Sequence, residues 1–229
     1  MRVIPMAGNI ALEFANTAEW HAGPTPEEGL QSFTLAVAWA LRHGIVSDEQ
    51  AAALLDRARA HPDEEAEALC RAIAFREVVY RVFSAAAHGR SPEAADLQVL
   101  DRESREASAH QRLVLVPEGH EKANQSSGAG DVPRFEWTWV GLEEELTGFL
   151  LPVAKAATEL LTSERLSRVR ECAGDPCGWL FLDLSKNGSR RWCDMADCGN
   201  RAKARRYRAR HKSASSAGPA GGARGGVDA

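Results

Sequence analysis

Glu171–Arg210 reads ECAGDPCGWLFLDLSKNGSRRWCDMADCGNRAKARRYRAR, and its four cysteines decide what the C-terminal part of the chain is. Cys172 and Cys177 form one C-x4-C pair and Cys193 and Cys198 a second, with fifteen residues between the pairs. Two tight turns, each presenting two sulfurs, are what a tetrahedral zinc site needs. Because all four ligands would be thiolates, no coordination position remains for water, so the expected site builds structure and does not catalyse. The apolar run between the pairs, Gly178 to Asp183, has strand character. A module this small buries too little surface to fold unaided, and metal binding supplies the deficit.

Directly after the fourth cysteine the chain turns cationic. On a 3.6-residue helix Arg201, Arg205, Arg208 and Lys212 share one face, and Lys203, Arg206 and Arg210 the neighbouring one. Asn200 is placed to cap this helix. Ala202 and Ala209 are small enough to let it approach a groove wall, and Tyr207 is its one large apolar side chain. The loop before Cys193 adds Lys186, Arg190 and Arg191 as backbone-contacting donors. Charge is strongly divided along the chain. Residues 1–164 hold 14 basic and 26 acidic side chains, residues 165–212 hold 13 and 5, and the overall value of −4 hides the split. Such asymmetry points to a polyanion as the partner of the basic part.

The cysteine-rich string resembles the signature of the bacterial CGNR zinc-finger family, with Cys198-Gly199-Asn200-Arg201 as the eponymous tetrapeptide. Members of that family carry an N-terminal ABATE domain, a stress-responsive regulatory domain that opens on a pattern close to LxLDFxNT. Ile10-Ala11-Leu12-Glu13-Phe14-Ala15-Asn16-Thr17 is similar to it, with Glu13 where aspartate is commoner. The resemblance implies transcription regulation through DNA.

The remainder reads as helical. Residues 9–17 alternate loosely and suggest a strand; Gly29 to His43, Ser47 onward, and Asp63 to His88 suggest helices. Ser47 and Gln50 make a capping-box pattern. Cys70 falls in the apolar pattern of the long helix and reads as core. Ser91-Pro92 would open a further helix with proline at its first position. Leu113–Val116 and Phe135–Trp139 read as strands joined by a mobile linker, Pro117 to Pro133. Residues 142–161 suggest one helix kinked at Pro152, with Gly148 relieving the clash. The expected fold is α+β: a mainly helical N-terminal domain with a small β hairpin (1–163), a zinc module ending in a basic helix (164–212), and a disordered tail (213–229).

Three function classes compete. A DNA-binding regulator fits best, with a homodimer on two half-sites and a small-molecule effector as expected partners. Zinc knuckles and arginine-rich helices also serve RNA. An enzyme in the N-terminal domain is disfavoured, because no nucleophile elbow, phosphate-binding glycine loop or H-E-x-x-H pattern occurs. The scattered histidines, His21 among them, read as solvated surface residues. Glu13, Asn16 and Trp20 would line a ligand pocket if one exists, although Asn16 and Thr17 more simply satisfy a turn. With no secretory signal and no membrane span, the expected location is the cytoplasm, on the nucleoid.

Overall fold

A computed structural model describes residues 7–116 and 133–216, and the fold it shows is α+β and mainly helical. The linker 117–132, expected to be mobile, and the tail from 217 onward lie outside the described residues. The chain forms two compact units, residues 1–193 and 194–229. In the first, helices α1 (Ile10–Ala15), α2 (Phe33–Arg42), α3 (Asp48–Ala60), α4 (Pro62–Ala87), α5 (Ala94–Ala109) and α6 (Leu150–Leu161) surround one core. Three antiparallel two-stranded ribbons complete it: β1 (Ala18–Glu19) with β2 (Glu27–Glu28), β3 (Gln111–Leu115) with β4 (Phe135–Trp139), and β5 (Val169–Glu171) with β6 (Leu180–Leu182). A 3-10 turn at Glu164–Arg168 leads from α6 into β5.

Residues 9–17 form a short helix and not a strand. Asn9 caps it by accepting a hydrogen bond from the Ala11 N–H at 2.8 Å. The apparent alternation of Ile10, Leu12 and Phe14 misleads because Ala11 and Ala15 are buried too. α1 packs against both α4 and α6, and the Phe14 ring meets Trp39 at 5.0 Å and Phe75 at 6.2 Å between centroids. This buried aromatic group joins α1, α2 and α4 by apolar burial, the main stabilising term in such a core.

Other boundaries shift for local reasons. α2 starts at Phe33, capped by Ser32, because Gly29 gives its N–H to the Thr17 carbonyl instead. Ser47 and Gln50 make both reciprocal capping-box bonds at the start of α3. α4 runs the expected length, from Pro62 to Ala87, but Cys70 lies on its exposed side, opposite the buried Ala68, Ala72, Phe75 and Val79. Pro92 precedes α5, which begins at Ala94. The expected kink at Pro152 is absent because residues 142–149 are turns and α6 begins at Leu150. Pro152 therefore sits in the first turn, where a missing N–H removes no intrahelical bond. Gly148 serves close packing: a Cβ there would lie 2.1 Å from the Leu142 carbonyl oxygen.

Arg76 and Asp96, buried among the helices, are paired. Arg76, 3 % exposed, clamps both oxygens of Glu28 at 2.6 and 2.8 Å and also donates to Glu77. Arg81 holds the buried Asp96 by two bonds, joining α4 to α5. The His21 side chain is 6 % exposed, contrary to the surface reading. Its ring stacks on Tyr80 at 3.5 Å, and its Nε2 lies 3.0 Å from Glu77. No described residue partners its Nδ1. The loop around His21 is what seats it, since Ala22 packs against Gly178 while Tyr80 closes the other side.

Candidate metal centre and basic helix

The four cysteines sit at the ends of short turns. β5 and β6 pair Val169 with Leu182, Arg170 with Phe181 and Glu171 with Leu180. The Cys172 N–H extends this ladder to the Trp179 carbonyl at 2.8 Å, so the segment 173–178 closes as the first cysteine turn. Gly178 adopts φ +71, and a Cβ on it would come within 2.5 Å of the Ala22 nitrogen. Only glycine meets both demands without strain.

β6 is held by a residue far away in sequence. The Asn16 side chain donates to the Leu180 carbonyl and accepts from the Leu180 N–H, both at 2.8 Å, as a neighbouring strand would. Asn16 thus links α1 to the strand between the cysteine pairs. Glu13 accepts from the Ala7 N–H, and burial pushes its carboxyl above the ordinary range. Trp20 is at φ 56, in the left-handed region at the turn before His21.

The loop 183–190 is organised by Asp183, which the sequence reading passed over. Asp183 is 1 % exposed; it accepts from the Ser185 N–H and hydroxyl and from the Arg190 N–H. Burial works against its charge, but these donors outweigh burial and lower its pKa. An Asp-x-Ser turn after an apolar strand was the available signal. Arg190 is turned inward: it donates to the Trp192 and Cys193 carbonyls and lies 4.4 Å over the Phe181 ring. Lys186 and Arg191 are exposed, the latter 5.6 Å from the Trp192 ring. Trp179 is half-buried and Phe181 fully buried, so neither offers an open stacking surface.

All four cysteines are buried, and their sulfurs lie within 4.8 Å of one another. The Cys177 and Cys193 sulfurs are 3.7 Å apart. A tetrahedron with metal–sulfur bonds of about 2.3 Å has edges of roughly 3.8 Å, so the spacing suits a single ion. The Gly174 and Cys193 N–H groups point at the Cys172 sulfur at 3.4 and 3.3 Å, the outer-shell donors that stabilise a ligating thiolate. Hydrogen bonds from the Cys177 and Cys193 thiols draw the Cys172 pKa down to about 2, and the same sharing pushes Cys177 up to about 12 and raises Cys193. A metal bound at these sulfurs would displace the protons that they share. The donor set fits a closed four-thiolate metal centre.

In the second unit, Asp194 opens a single π-helical turn, Met195–Gly199, by accepting from the Asp197 N–H at 2.9 Å. This turn carries Cys198 into α7 (Asn200–Ser216). Asn200 does not cap that helix: its backbone is already helical, and its side chain donates back to the Ala196 carbonyl. Arg201 reaches Asp197 at 3.1 Å and the Cys198 sulfur at 3.2 Å, so its guanidinium is engaged at the cysteine turn. Lys203, Arg205, Arg206 and Arg208 are exposed along α7, and Arg210 and Lys212 fall within it. Tyr207 is exposed beside the His211 ring at 4.2 Å, whereas Ala202 is buried and cannot face a groove wall.

A helical body joined to a four-cysteine knuckle and a basic helix defines a protein of the metal-knuckle class. Two family models match: ABATE, described as "Putative stress-induced transcription regulator", over residues 8–164, and the CGNR zinc finger over residues 168–211. The chain belongs to the ABATE family and carries a CGNR zinc finger at its C-terminal end. A search of curated proteins found no match. Among the described residues, no helix is long and apolar enough to cross a membrane.

Proposed function

We propose that the protein is a zinc-containing transcription regulator that binds DNA through α7, and that it is not an enzyme. The observation that carries this reading is the run of exposed Lys203, Arg205, Arg206 and Arg208 directly after the fourth cysteine ligand. A helix with so many cations and one exposed aromatic is poor at burying itself and suited to phosphates. Arg205 and Arg208 are the first candidates for phosphate and base-edge contacts, because both are exposed along α7. Zinc is favoured as the ion because four thiolates close the coordination sphere and the family is a zinc finger.

Titration of the zinc-loaded full chain against duplex DNA, hairpin RNA and single strands at matched salt tests the reading. Preference for duplex DNA, with log K falling against log salt at a slope of about −5, is the expected result. Preference for the RNA hairpin would replace the regulator reading with an RNA-binding one. Metal analysis should return one zinc per chain; iron in its place would remove the zinc assignment.

A further inference from the structure

The ribbon β3–β4 carries two unlike faces. The register pairs Leu113 with Trp137 and Leu115 with Phe135, so these four side chains share one face with Gln111 and Trp139. The other face holds Arg112, Val114, Glu136 and Thr138. Apolar side chains would ordinarily turn inward, yet Leu113 is 57 %, Leu115 58 %, Phe135 63 % and Trp137 63 % exposed. At the base of the same face Trp139 is half-buried and packs against the main core. The apolar face therefore starts on the core and runs out over solvent towards the end of the ribbon.

We propose that this face is the self-association surface of the protein, covered by the same face of a second copy. Three observations select that occupant. The first is area. Exposed aromatics of this kind present on the order of 150 Å² each and the leucines about 100 Å² each, roughly 500 Å² per copy. Two copies face to face bury about 1,000 Å², the lower limit for a specific protein–protein interface. The second is charge. Arg112 and Glu136 both lie on the reverse face, so a symmetric pairing of the apolar faces brings no charged side chain of the ribbon against its own copy. The third is the composition of the segment that joins the strands. Residues 117–132, PEGHEKANQSSGAGDV, contain no leucine, isoleucine, phenylalanine, tyrosine or tryptophan and one valine, too little apolar surface to match two leucines, a phenylalanine and a tryptophan. A lone two-stranded ribbon is also marginal in water, and doubling it supplies the missing layer.

Sedimentation equilibrium of the full chain, without nucleic acid, tests the proposal. The native protein should be a dimer at tens of micromolar. Trp137→Asp, and separately Leu113→Asp on the opposite strand, should each raise the dissociation constant about thirtyfold or more, as loss of a central apolar anchor does. Both variants should keep native far-UV circular dichroism and native metal content, because the side chains touched are exposed. Glu136→Lys on the reverse face should leave the dimer unchanged. A native chain that stays monomeric at 100 µM overturns the proposal. So does a dimer that Trp137→Asp and Leu113→Asp leave intact, a dimer broken by Glu136→Lys alone, or open-ended aggregation in place of a closed pair. Since no nucleic acid is present, these outcomes are independent of whether α7 binds DNA.

Discussion

Glu77 shows how a single carboxylate couples this fold to acidity. The hydrogen bond with His21, with Arg76 as a further partner, holds its pKa at about 2, below the ordinary 4.5. A depressed carboxyl pKa stabilises the fold above the unfolded value and loses that contribution as pH falls. The relevant window runs from about pH 4.5 down to about 2. With Glu77 about a third exposed, solvent screening limits the effect to about 1 kcal/mol. Glu77→Gln should lower urea stability by that amount at pH 7, with the difference from native shrinking below pH 4.5; equal loss at every pH would count against the linkage. Asn16 has the larger role in packing. Asn16→Ala removes both bonds to Leu180 and should cost about 2–3 kcal/mol in denaturant unfolding. Little of this was legible beforehand. A lone histidine and an asparagine next to a turn have common surface explanations, and their partners lie 56 and 164 positions away, where no local pattern reaches.

Elements with strong local signals were readable. The Ser47–Gln50 box, the acidic first turn and length of α4, and strands β3 and β4 were all visible in the sequence. Elements shaped by tertiary packing were not. α1 read as a strand because small alanines hid its helical face, and the turns before α6 depend on Gly148 nestling against Leu142. Cys70 misled for a related reason: α4 is apolar over a wide arc, yet one side of it still meets solvent. For α7 the pattern of charge along the helix yields a direct prediction. Arg205→Ala combined with Arg208→Ala should make the salt dependence of DNA binding shallower by about two in log–log slope while helicity is retained. An unchanged slope would show that this part of α7 does not meet phosphate.

Across the molecule, the clustering of the four cysteines was the most legible feature, since their paired spacing marks them out. What spacing could not reveal is how the strands between the cysteines are packed. Val169, Leu180 and Leu182 belong to the main core of the first unit, together with Leu12, Phe14 and Val79. Charge changes near residue 164, but burial continues across that point. Cys193→Ser should therefore do more than lower metal content, which analysis would find below one ion per chain. It should also lower the thermal midpoint of the helical body, read by tryptophan fluorescence, whereas a midpoint equal to native would mean that the knuckle stands apart energetically. The Asn16 bridge gives this coupling a second direction. Thermodynamic linkage is reciprocal. If holding the ion steadies the helices, then any molecule or stress that loosens α1 must weaken the grip on the ion by the same factor. A single side-chain amide would thus let the state of the helical body be read out as metal occupancy.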